Sequence, residues 1–143
     1  MTRWALIACR IALGALFLWA AATKLPDMNA FAQDVANYRA LPGALVPYAA
    51  AAVVGIEVVA GVSLITGIAA RPAALVLSVL LLAFIGFLAQ ALLRGIDLRC
   101  GCFGGDEPAT WWTVARDAVM LAAALLVACK PQPVRRTAEL PGV

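Results

Sequence analysis

Four long apolar runs limit what this chain can fold into. Residues 4–22, 46–68, 72–93 and 111–129 carry few polar side chains. Each is close to the ~20 residues a helix needs to cross a hydrocarbon core. Only a helix or a closed barrel satisfies its backbone there, and runs of this length specify helices. The reading is all-α: an integral membrane four-helix transmembrane bundle over residues 1–130, with residues 131–143 as a disordered cytoplasmic tail. Composition agrees. Of 143 residues 64% are apolar, where a soluble domain has about half. The first run has a signal-peptide look, with Arg3 ahead of it and Ala20-Ala21-Ala22 behind. Its length, and Arg10 inside it, favour a retained helix.

Several function classes drop out. The chain has no histidine and a net charge of +3. The basic residues are scattered, which excludes a nucleic-acid surface. Four cysteines are too few for a disulfide-stapled scaffold.

Between the first two runs, Phe31, Val35 and Tyr38 share one face of a helical pattern. Gln33, Asp34, Asn37 and Arg39 lie elsewhere on it. This predicts a short amphipathic helix in the interface, capped by Asp27 or Asn29. Gly55, Gly61 and Ser63 are small residues that permit close helix approach. Thr110 is placed to cap the last helix, and Trp111-Trp112 reads as an aromatic belt.

Four spans put both termini on one face. That face carries Arg3, Arg71, Lys130, Arg135 and Arg136, against Lys24, Arg39, Arg94 and Arg99 opposite. The positive-inside rule assigns the termini to the cytoplasm of a bacterial inner membrane. The amphipathic helix and the 94–110 connection then face the periplasm, where disulfides persist.

That connection holds Asp97-Leu-Arg-Cys-Gly-Cys-Phe-Gly-Gly-Asp106. One residue between Cys100 and Cys102 keeps the two sulfurs close. A disulfide across so small a ring sits away from relaxed geometry and is readily exchanged. Arg94 and Arg99 are placed to favour a thiolate. A structural disulfide and a soft-metal pair are the competing readings. No third outer cysteine or histidine completes a metal set, so no metal site is assigned.

Glu57 lies near the middle of the second span. A carboxylate there costs ~3 kcal/mol on insertion scales and should face the interior. An extended Arg10 is its expected partner. The pair would serve either as a ligand or proton site or as a buried ion pair fixing helix register. Lys24 is paired in expectation with Asp117, next to Arg116, as a bridge beneath the cysteine loop. The plainer reading of Lys24 is snorkelling at a helix end. Cys9 and Cys129 fall toward the terminal face, where a second pair is conceivable but buried free thiols are commoner.

These residues together resemble the MauE/DoxX-like family of four-helix membrane proteins. The resemblance rests on Arg10, Gly14, Lys24-Leu25, Tyr38-Arg-Ala-Leu-Pro42, Glu57, Gly61, Leu64, Arg71, Cys100-Gly-Cys-Phe-Gly104 and Arg116-Asp117. It implies a role in methylamine metabolism, supporting maturation of periplasmic methylamine dehydrogenase or a related client by thiol–disulfide exchange. It also implies a periplasmic thioredoxin-like partner (MauD-like), with the dehydrogenase small subunit as client. DoxX-like relatives suggest a quinone in the bundle, which Glu57 and Arg10 would contact. The expectation is therefore a membrane thiol–disulfide oxidoreductase acting through Cys100 and Cys102, with Lys24, Arg99, Arg116 and Asp117 in support. The rival is a non-enzymatic scaffold or small-solute transporter with a structural or metal-binding cysteine pair.

Overall fold

Apolar runs end where the backbone can be turned or capped, and the computed structural model shows how. It describes residues 2–97 and 108–131. Five α-helices are present among them: α1 Arg3–Lys24, α2 Met28–Asn37, α3 Val46–Thr66, α4 Ala70–Leu93 and α5 Trp111–Cys129. There is no β-strand among the described residues. Helix α1 runs two residues past its expected end and stops at a 3-10 turn, Leu25–Asp27, that contains Pro26. Asp27, one of the two expected caps, accepts from the Ala30 N–H at 2.9 Å and starts α2. Helix α3 stops at Thr66, short of residue 68, because Gly67 turns left-handed at φ 81°. Helix α4 begins at Ala70 rather than Pro72, so Pro72 falls in a first turn whose N–H groups lack partners anyway. At the start of α5 the Thr110 N–H donates to Thr113 Oγ1 at 3.3 Å. The tail beyond residue 131 lies outside the described residues.

The helices α1, α3, α4 and α5 are long and apolar enough to cross a membrane. They form a ring in which α1 packs on α3 and α5, α3 on α4, and α4 on α5. Large apolar side chains such as Val59, Val79, Leu82 and Val119 point outward and stay exposed. A soluble protein would hide such a surface, whereas a bilayer solvates it. The chain is a multi-pass membrane protein.

One face of the bundle carries the start of α1, the α3–α4 turn and the end of α5. The other carries α2 and the α4–α5 connection. Here these are called the terminal face and the loop face. Helix α2 lies against α3, with Phe31 buried among Ala21, Ala50 and Val54. Tyr38 reaches α4, its ring centroid 6.5 Å from that of Phe87.

The tightest helix contact joins α1 to α3. A Cβ added at Gly14 would lie 2.8 Å from the Gly61 carbonyl oxygen, and one at Gly61 would lie 3.0 Å from the Gly14 oxygen. Gly55 behaves differently from the expected pattern, since nothing lies within 4 Å of its added Cβ. It faces an open groove between α3 and α4 rather than a helix contact. The Gly14→Ala substitution should therefore lower stability by ~1–3 kcal/mol through overpacking. Gly55→Ala should leave it unchanged or slightly higher. Thermal unfolding of the two variants in the same detergent checks this, and equal losses would contradict the assignment.

Candidate functional site

The contact between Gly14 and Gly61 sets the levels of everything else on α1 and α3. At ~1.5 Å of rise per residue, Lys24 lies about 15 Å toward the loop face from that contact, and Glu57 about 6 Å. The backbones are thus offset by about 9 Å. Every helical Cα–Cβ bond tilts toward its own N-terminus. On antiparallel helices this sends Lys24 inward and Glu57 outward, so the two side chains converge. Lys24 Nζ donates to both carboxylate oxygens of Glu57, at 2.7 and 2.8 Å. Lys24 is only 3% exposed and Glu57 likewise 3%. The ammonium also stands 5.2 Å from the centre of the Phe31 ring, a cation–π contact supplied by α2.

Asp117 joins this site from α5. It is buried, and Arg116 Nε and Nη2 donate to its Oδ1 at 3.3 and 3.2 Å. Lys24, Glu57 and Asp117 line one small cavity with Phe17, Leu81, Phe84 and Met120. All four spanning helices contribute. The cavity holds about 20 Å³, room for a single water. Among the described residues two cations, Lys24 and Arg116, pair with two carboxylates, Glu57 and Asp117, as charges inside a bilayer require.

Several expected pairings are corrected by this geometry. Arg10 does not meet Glu57. It lies about 6 Å to the terminal side of the Gly14 level, and the tilt rule turns it further that way. Its guanidinium rests on Gly67 instead. Lys24 neither bridges Asp117 nor snorkels outward, because Glu57 holds it inside. Asp117 takes its hydrogen bonds from its neighbour Arg116. The Lys24–Glu57 bridge, across 33 positions, does not follow from axial rise alone. Its signal was the direction of side-chain tilt on two antiparallel helices.

Glu57 and Arg10 therefore do not share one contact site. About 15 Å of α3 separates Glu57 from Gly67, and the space beside Glu57 has the volume of one water. Cys9 is half-buried and Cys129 exposed, and both are free thiols. No cluster able to hold a metal is present among the described residues. Arg99, Cys100 and Cys102 lie outside the described residues.

The model of a family described as methylamine utilisation protein MauE matches residues 2–130. The chain belongs to the MauE family. Methylamine utilization protein MauE of Paracoccus denitrificans is 38% identical over 131 residues, covering 90% of this chain and 69% of that relative. No solved structure matches the chain. Several of the residues that carried the resemblance to the MauE family meet between α1 and the α3 segment. Gly14 meets Gly61, Lys24 meets Glu57, and Arg10 meets Gly67.

Removing one member of a buried ion pair leaves a bare charge and costs ~3–5 kcal/mol, whereas replacing both with apolar groups is often neutral. Lys24→Met and Glu57→Leu should each destabilise the protein by about that much, and the double variant should recover most of the loss. Unfolding midpoints in lipid nanodiscs test this. Additive losses in the double variant would rule out the pairing.

Proposed function

We propose that this MauE-family chain acts in methylamine utilisation as an inner-membrane thiol–disulfide exchanger, with termini in the cytoplasm. The family match over residues 2–130 supports the pathway. The Cys100-Gly-Cys102 spacing supports the chemistry. In the exchange, a thiolate of a periplasmic thioredoxin-like partner attacks the Cys100–Cys102 disulfide. A mixed disulfide forms and one loop cysteine leaves as thiolate. The partner's second thiol then attacks the mixed bond. The partner ends as a disulfide, and Cys100 and Cys102 end as two thiols. Two electrons and two protons have passed to the loop. The same steps run in reverse when the partner is the stronger oxidant. The client at the end of the relay is the disulfide-bearing small subunit of methylamine dehydrogenase or a related periplasmic protein.

Helix α5 follows the cysteine loop in sequence, and Asp117 in its second turn lines the same cavity as the Lys24–Glu57 pair.

In the reverse direction the second loop cysteine resolves the mixed disulfide, and replacing it leaves that bond without its resolving loop thiol. One of Cys100→Ser and Cys102→Ser should accumulate an adduct with the partner, and both should abolish growth on methylamine. Full growth and client maturation with both variants would end the redox reading. Thiol trapping in membranes poised across glutathione buffers gives the independent check. An exchanging pair titrates within that range, whereas a structural staple stays oxidised throughout.

A further inference from the structure

Among the described residues the terminal face carries Arg3, Arg10 and Arg71 and no aspartate or glutamate. Arg10 is the unusual one. It sits a little over two turns into α1, is only 9% exposed, and its buried Nε has no hydrogen-bond partner. Both described carboxylates within the spans are engaged elsewhere, Glu57 by Lys24 and Asp117 by Arg116. A buried guanidinium without a counter-charge is costly, so an anion is the missing component.

The seat of Arg10 shows where that anion would sit. A Cβ on Gly67 would lie 2.9, 3.0 and 3.1 Å from Nη1, Nη2 and Cζ of Arg10. The terminal nitrogens of the guanidinium are thus held at the α3–α4 turn, and a guanidinium can fork onto two oxygens of one anion. The same turn leads into α4. Ala69 precedes that helix and offers no side-chain cap. The first N–H groups of α4 are consequently without intrahelical partners, at the positive end of a helix of 24 residues. Nearby, Arg71 Nε donates to the Ala128 carbonyl at 3.1 Å, which keeps a second guanidinium at this end of the bundle. A buried unpaired arginine and an uncapped helix start thus meet at one turn, at a face that meets lipid headgroups.

We propose that Arg10, seated on Gly67 at the start of α4, anchors a binding site for a phosphate-type oxyanion on the terminal face. The anion is the phosphate of an anionic phospholipid headgroup or free inorganic phosphate. This site is independent of the cysteine loop and of the exchange chemistry. It adds a lipid- or anion-dependent lock on the α1–α3–α4 junction.

The test uses the full chain in nanodiscs of phosphatidylcholine alone or of phosphatidylcholine mixed with phosphatidylglycerol. Unfolding midpoints and native mass spectrometry are the readouts. The wild type should unfold several degrees higher with phosphatidylglycerol and retain that lipid on release. If inorganic phosphate, against chloride at equal ionic strength, gives the rise in phosphatidylcholine discs instead, the site holds the free anion. Arg10→Gln should weaken retention roughly tenfold or more, the loss of charge-assisted hydrogen bonds. Arg10→Lys, which keeps the charge without the fork, should fall between. Gly67→Ala, which unseats the guanidinium, should also lose the effect, and it serves should Arg10→Gln fail to fold. Arg3→Gln, on the same face, should keep it. An equal loss in Arg3→Gln would reduce the effect to general surface charge and overturn the site. So would a wild type indifferent to both phosphatidylglycerol and phosphate. Glu139 in the tail is the sole acid that the sequence places on this side. If Glu139→Gln alone destabilises the protein as much as Arg10→Gln, and the two do not add, the tail is the counter-charge and the proposal fails.

Discussion

The Lys24–Glu57 ion pair is the interaction on which the rest of the bundle depends. A bilayer interior tolerates neither charge alone. Pairing them resolves both costs at once and fixes geometry in the process. Lys24 closes the last turn of α1, while Glu57 lies in the middle of α3, so the bridge spans an axial offset rather than joining two equal levels. Sliding α1 by one turn would add about 5 Å to a contact that has no slack. The Gly14–Gly61 approach holds the same two helices at short range. One polar contact and one steric contact together define their register. Phe31 then covers the ammonium from the loop side, which gives the short amphipathic helix a packing reason for its position.

Charge is distributed unevenly along the bundle axis. Toward the loop face, cations and carboxylates match one another around a cavity the size of one water. Toward the terminal face, Arg3, Arg10 and Arg71 stand without an acid among the described residues. The first arrangement ties all four spanning helices together at one level. The second is complete only when something from outside the described chain supplies negative charge. The two ends of the bundle thus differ in how their buried charges are matched.

The four spans, the interfacial helix and the Asp27 and Thr110 ends were legible in the sequence, because hydropathy and capping are local signals. The partner of Glu57 was not. Counting rise along single helices placed Arg10 within reach, but Cα–Cβ tilt turns Arg10 and Glu57 apart and brings Lys24 and Glu57 together. Direction mattered more than depth. Gly55 and Gly61 illustrate the same limit. Both are small residues on one helix six positions apart, yet only Gly61 faces a partner. Which face a helix presents to its neighbour is a tertiary property, and α3 is apolar all round, so its hydrophobic pattern carries no preferred side.

Connection lengths give a final argument for where activity resides. Helices α3 and α4 are neighbours and are joined by residues 67–69 alone. Helices α4 and α5 are also neighbours, yet residues 94–110 join them. Connections between adjacent helices of a bundle need only a few residues, and longer ones are commonly functional. The passage from α1 to α3 is likewise extended, by α2 and its flanking 3-10 turns. Both excess segments lie at the loop-face end of the bundle; α2 contacts the buried cluster through Phe31 over Lys24, and α5, which follows the longer connection, supplies Asp117 to it. Chain length not needed for closing the bundle is concentrated where the cysteine pair is carried. A bundle serving only as a scaffold has no such requirement, whereas an exchanger needs an exposed loop long enough to enter a partner's active site and a fixed base to return to.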